Sequence, residues 1–141
     1  MLSELDLKRG QKVLEIGSGS GYVLALISEI VGGEISGLEI IPELAEQSRE
    51  NLRDYKNVEI FKKSGLQGFL KKFPFDRILV SAAVRELPEE LLAQLNEKGI
   101  LVIPQGSRFE QEIVVIQRRG NEFVIKREFP GFVFVPFVNK D

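Results

Sequence analysis

Apolar positions along this chain alternate between two rhythms, short continuous runs and stripes at helical spacing, and the changeover points predict its elements. Val13 to Ile16 is a four-residue apolar run broken only by Glu15, followed by a glycine turn. Val23, Leu26, Ile27 and Ile30 then recur at helical spacing until Gly32-Gly33 closes the segment. Glu34 to Leu38 reads as a second strand, and Pro42 opens a helix with Leu44, Ala45, Ser48 and Leu52 on one side. A third strand over Val58 to Phe61 is followed by a short helical stretch carrying Leu66, Phe69, Leu70 and Phe73. Phe75 to Ser81 is nearly all apolar after its first residues, as a strand covered on both faces should be.

Pro88 with Glu89 and Glu90 marks a helix start, with Leu91, Leu92 and Leu95 as its inner stripe, Gly99 as its stop and Ile100 to Ile103 as the next strand. Beyond Pro104 the helical period disappears. Glu112 to Gln117 and Glu122 to Arg127 flank Arg119-Gly120-Asn121, a turn signal for an antiparallel hairpin. Alternating strands and helices require a parallel sheet with right-handed crossovers. The expectation is therefore an α/β Rossmann-like fold, a mostly parallel twisted sheet of about seven strands closed by a C-terminal antiparallel hairpin.

Length changes this picture only by bounding it: 141 residues make one core, so a single domain over 1–141 is expected. A formal net charge of −2 supplies no electrostatic footprint for nucleic acid. No apolar run reaches the roughly 18 residues of a membrane span and the N-terminus lacks a signal pattern, so the expected compartment is the cytoplasm. The absence of any cysteine or histidine removes disulfides, thiol nucleophiles, His-based triads and the commonest metal ligand. No metal site is expected, the acids being scattered along helical faces where solvation explains them.

The candidate chemistry sits at the first strand's end, in Glu15-Ile16-Gly17-Ser18-Gly19-Ser20-Gly21-Tyr22. Glycines at this spacing let a ligand approach the main chain where a side chain would clash. Dinucleotide folds use G-x-G-x-x-G, whose third glycine allows close helix–strand packing; here that position is Tyr22. The spacing is G-x-G-x-G, preceded by Glu15, and a second acid, Glu39, follows the next apolar run where ribose hydroxyls are gripped. This combination resembles the S-adenosylmethionine (SAM) methyltransferases, and a carboxylate beside the turn suits a cationic sulfonium ligand better than a pyrophosphate. A ligand-free glycine turn and an NAD site are the competing readings.

From Leu2 onward the chain resembles one family in particular, the protein-L-isoaspartate O-methyltransferases, which methylate the abnormal carboxyl of isoaspartyl residues in damaged proteins. The resemblance is carried by Leu5 to Gly10, Val13 to Tyr22, Glu39 to Ala45, Phe75 to Ala83, the Pro88 to Gly106 stretch and Phe134-Val135-Pro136-Phe137. It implies SAM as cofactor, held by Glu15, Gly17, Ser18, Gly19, Ser20, Gly21 and Tyr22 at the methionine end. Glu39 and Ile40 would take the ribose, and Ser64 and Gly65 the adenine; Ala82 and Ala83 would leave room for the substrate. It also implies a damaged protein or peptide bearing isoaspartate as partner, with the chain a monomer or weak homodimer.

Two departures qualify the resemblance. The family's Gly-Asp-Gly after the third strand appears here as Lys63-Ser64-Gly65, so a charge-assisted contact worth on the order of 1 kcal/mol is replaced by a hydroxyl. Family members also carry an N-terminal extension with a Thr-Ile-Ser-type segment ahead of the residues matching Leu2. Its absence from this sequence leaves a catalytically weak or inactive SAM-binding module, or a small-molecule methyltransferase, as alternatives. It also leads to the expectation of exposed apolar surface near Leu2, Leu5 and the cofactor mouth.

Read structurally, Glu39 is a solvated strand-end acid, Ser64 a turn residue, Tyr22 packing for the first helical turn, and Ala82 and Ala83 small residues against a helix. Methyl transfer to a carboxylate needs no general base, because the acceptor is ionised at neutral pH with an unperturbed pKa of about 4. No catalytic side chain is therefore assigned, and a chain without histidine is sufficient for the reaction.

Overall fold

The computed structural model describes residues 1–138. Its seven strands form one sheet in the order β3-β2-β1-β4-β5-β6-β7. β1 (Val13–Ile16), β2 (Ile35–Glu39), β3 (Val58–Lys62), β4 (Phe75–Val80) and β5 (Leu95–Gly106) run parallel, and β6 (Gln111–Arg119) and β7 (Glu122–Phe132) complete the sheet antiparallel. The expected fold class is the one observed. The order turns at β1, which lies between β2 and β4, and this is where an open α/β sheet leaves a crevice at its strand ends.

Successive residues of the central strands feed opposite cores, as a period of two requires. Val13, Ile35, Leu79 and Val102 pack with Leu24 and Ile27 of α1 (Tyr22–Val31) and Ala45 of α2 (Pro42–Asn51). Leu14, Ile78, Val80 and Leu101 pack on the other side with Phe69 and with Leu91 of α3 (Glu89–Leu92). The hairpin turns on Gly120, whose φ of 63° at the first of two turn positions is open to glycine at no steric cost.

Three expectations fail, each because tertiary contacts outweigh local pattern. The stretch from Leu66 to Phe73 is not helical. Gly68 takes φ 67°, and the buried Gln94 binds the segment in an irregular path, accepting from Phe69 N at 2.8 Å and donating to Gln67 O at 2.7 Å. The helix expected to run from Pro88 to Gly99 stops after a single turn, since Leu95 is drawn into pairing with Phe75. Gly99 consequently ends no helix: it lies in the irregularity of β5, next to Lys98 at φ 62°, where a Cβ would meet Asn96 O at 2.8 Å.

The expected exposed apolar patch at Leu2 and Leu5 is also absent. Leu5 is fully buried and Leu2 half-buried against the same core. The guanidinium of Arg77 reaches from β4 to the carbonyls of Leu5 and Asp6, satisfying both and fixing the lead-in to the sheet.

Candidate functional site: a glycine-floored cavity at the ends of β1, β2 and β4

β1 ends at Ile16, and the chain must turn sharply to enter α1. Gly17, Gly19 and Gly21 take φ of 81°, 55° and 89°, a region closed to most side chains. Gly17 N donates to Leu38 O at 2.8 Å, which holds the turn against the end of β2. A Cβ on Gly19 would meet nothing within 4 Å, so this glycine faces open space. One on Gly21 would strike Leu52 at 2.7 Å, so that glycine serves the packing of α2 against the turn.

The open space is a cavity of about 230 Å3. Gly17, Gly19 and Ser81 line it from just beyond β1 and β4, Glu39, Ile40, Ile41 and Leu44 from the end of β2 and the start of α2, and Lys63 and Gly65 from the segment after β3. Ala82 and the segment Val135 to Val138 close it from the side. That segment is held by Ala83, whose N donates to Val135 O and whose O accepts from Phe137 N, both at 2.9 Å. Gln111 pins the same segment one residue earlier by accepting from Phe134 N at 2.6 Å. Most of the wall is apolar, and Ile41, Val135 and Val138 at the rim are exposed.

Two carboxylates define the polar side. Glu39 is buried at the end of β2, and its carboxylate accepts from Gly19 N at 2.8 Å and from Ile41 N at 3.0 Å. It therefore joins the glycine turn to the start of α2 with one side chain. Glu15 is 1% exposed on β1. Burial pushes its carboxyl from 4.5 up to about 8, a hydrogen bond from Ser81 acts in the opposite direction, and the nearby charge of Glu39 adds to the rise. Its Oε2 accepts from Ser81 Oγ at 3.3 Å, while Oε1 and the buried Ser18 Oγ have no partner among the described residues.

Of the residues expected from sequence, Gly17, Gly19, Glu39, Ile40, Gly65 and Ala82 line the cavity. Glu15 lies behind Ser81, and Ala83 supports the closing segment instead of facing the space. Ser18 is buried beneath the turn; Ser20 is exposed, with its carbonyl accepting from Asn51 Nδ2 at 3.0 Å. Tyr22 is 70% exposed and, like Ser64, is not among the lining residues. Sequence reasoning missed Ile41, Leu44, Lys63 and Val138 as wall residues. An apolar Ile41 just ahead of a helix-opening proline was the available signal.

A cavity at the carboxyl ends of parallel strands, with a glycine turn, a buried strand-end acid and mostly apolar walls, places the molecule in the class of SAM-dependent methyltransferases. A precorrin-6y C5,15-methyltransferase from Geobacter metallireducens shares the fold over 92% of this chain at TM-score 0.67 and 20% identity. The chain belongs to the protein-L-isoaspartate(D-aspartate) O-methyltransferase family, whose model matches residues 1–141.

Protein-L-isoaspartate O-methyltransferases from Methanococcus maripaludis and Pyrococcus horikoshii are each 41% identical to it. The first match covers 100% of this chain and 68% of the relative; the second covers 99% and 65%. A solved protein-L-isoaspartate O-methyltransferase superposes on 98% of the chain at TM-score 0.89 and 26% identity, the match covering 45% of that protein. A Plasmodium falciparum protein-L-isoaspartate O-methyltransferase in complex with S-adenosyl-L-homocysteine matches 94% of the chain and 67% of its own length, at TM-score 0.82 and 30% identity. The chain thus spans about two thirds of its curated relatives.

Proposed function

We propose that this chain binds SAM in the cavity above the glycine turn and transfers its methyl group to the carboxylate of isoaspartyl residues in damaged proteins. The observation that carries the reading is Glu39, fixed by two backbone amides between the glycine turn and an apolar recess. The arrangement suits a ligand with a cationic end, a central diol and a flat base. The Gly17 to Gly21 main chain would face the methionine end with Glu15 behind Ser81, Glu39 and Ile40 the ribose, and Ile41, Leu44 and the Ser64-Gly65 turn the base. When bound, SAM supplies a methyl group on a positively charged sulfur.

The chain's own contribution is placement. Gly17 and Gly19 admit the ligand against main chain, the Val135 to Val138 segment excludes water from one side, and Ala82 leaves space at the wall. Alignment of two reactants in this way supplies several kcal/mol without a proton-transfer group. A chain lacking histidine needs nothing further for an acceptor that is already ionised. The cytoplasm is the compartment this reading carries; among the described residues no helix is long and apolar enough to cross a membrane.

The test has two stages. Calorimetric titration with SAM and S-adenosylhomocysteine should show binding, and silence at millimolar ligand ends the cofactor assignment. Tritium transfer from labelled SAM should then favour an isoaspartyl peptide over its normal aspartyl twin. Binding without transfer would instead mark a SAM-binding module, and transfer only to components of a metabolite extract a small-molecule methyltransferase.

A further inference from the structure

Behind the cavity wall lie two buried polar side chains, Glu15 and Ser18, each with an oxygen that no described residue satisfies. Glu15 and Gly37 are register partners on adjacent strands, so they point to the same face of the sheet. A Cβ built on Gly37 would stand 3.2 Å from Ser18 Cβ, which brings Ser18 over the same spot. Glu15 and Ser18 thus lie on the same face of the sheet, and Glu15 Oε1 and Ser18 Oγ are both buried and both without a partner among the described residues. Leaving such atoms unsatisfied is costly, so each calls for a partner that the described residues do not supply.

The surroundings fix what can arrive. Around Glu15, β2 presents Gly37 and then Glu39, β4 presents Leu79 and then Ser81, and α1 presents Leu24. The only charged group that acts on Glu15 from these elements is Glu39, of the same sign. No lysine or arginine among the described residues bonds to it. Ser81 lines the cavity and donates to Glu15 Oε2, so the carboxyl sits one hydroxyl behind the ligand space.

We propose that Glu15, with Ser18 and Ser81, is a charge-selecting group: it holds a proton while the cavity is empty and surrenders it when a cationic ligand enters, so that SAM binding releases one proton. This rests on the cofactor reading above and adds a coupling to it. The balance is simple. The carboxylic acid O–H breaks, its electron pair stays on the carboxylate, and the proton leaves to buffer; the ligand's positive charge replaces it. Burial that holds the carboxyl near 8 makes the proton-bearing form dominant at neutral pH, and a positive ligand reverses that preference. A ligand without positive charge has no such effect, so its affinity does not follow the proton on Glu15.

Calorimetry on the full chain tests this. SAM binding at pH 7, measured in phosphate and in Tris, should show a buffer-dependent enthalpy corresponding to close to one proton released. SAM affinity should rise about tenfold per pH unit from pH 6 towards 8 and then level off. 5′-Methylthioadenosine, which is uncharged, should bind without proton release. Glu15→Gln should abolish both the buffer dependence and the pH slope for SAM, which separates Glu15 from the titrating amino group of SAM itself. Ser81→Ala, which removes the hydrogen bond favouring the charged carboxyl, should move the levelling point to higher pH.

Carboxyl 13C NMR of the wild-type chain reads the same titration with no substitution, and should show the Glu15 midpoint falling when SAM is added. SAM binding with no proton release, equal release in Glu15→Gln, or a Glu15 midpoint near 4.5 in the empty chain would overturn the inference and leave the cofactor reading standing. No SAM binding at all would overturn both.

Discussion

A Cβ at Gly65 would lie 2.1 Å from Ile16 Cγ2, closer than any real contact, so a single methyl tests how tightly the loop after β3 approaches the end of β1. Gly65→Ala should cost about 1–3 kcal/mol through overpacking, seen as a thermal midpoint lower by about 3–8 °C. An unchanged midpoint would mean that the loop is free to move away. Glu15 makes a second, oppositely signed prediction. Its carboxyl titrates near 4.5 when unfolded and near 8 when folded, so between these values the folded chain keeps a proton that the unfolded chain has lost. Stability must therefore fall as pH rises through this window, by on the order of 3 kcal/mol by pH 7. Glu15→Gln should remove that slope and gain stability relative to wild type at pH 8 more than at pH 5. Parallel melting profiles across the two pH values would refute it.

At the scale of elements, the decisive unit is the irregular segment between β3 and β4. Apolar spacing at Leu66, Phe69, Leu70 and Phe73 fits a helix, yet the segment packs Phe69 against Phe61 at a ring distance of 4.5 Å and ties its backbone to Gln94. One buried amide side chain does what a helical turn would otherwise do, satisfying a donor and an acceptor. Gln94→Ala should leave Phe69 N and Gln67 O without their partner at a cost of about 1–3 kcal/mol. Hydrogen exchange at the Phe69 amide should accelerate before that of the β4 amides; uniform exchange throughout would argue against a local pin. Strands β1, β2 and β4 were legible because burial on both faces leaves an apolar run with few alternatives. α3 was legible only at its start, since Leu95 suits a helix stripe and a buried strand equally and the choice fell to pairing with Phe75.

For the whole molecule, the cavity is assembled from opposite ends of the sequence. The glycine turn lies near the N-terminus, while the wall from Val135 to Val138 arrives after the hairpin and is fastened to Ala83 and Gln111. A chain ending at Phe132 should keep its sheet, because β1 to β7 remain intact, but lose the wall. Its far-ultraviolet circular dichroism should be close to that of the full chain while its SAM affinity falls at least tenfold. Retained affinity would show that the segment covers the site without contributing to it.

The sequence by itself determined the order of the strands with α1 and α2 between them, the glycine turn and the strand-end acid at Glu39. Each of these depends on residues close together in the chain, where backbone freedom and apolar period act directly. Tertiary structure alone decided that Leu95 leaves its helix for the sheet and that Gln94 shapes a loop about 25 residues away. It also decided that Glu15 sits unpaired beneath the cavity and that Val135 to Val138 form its wall. Those outcomes depend on which distant groups share a buried volume, and burial sets the protonation and pairing of a side chain only once the surrounding elements have closed around it.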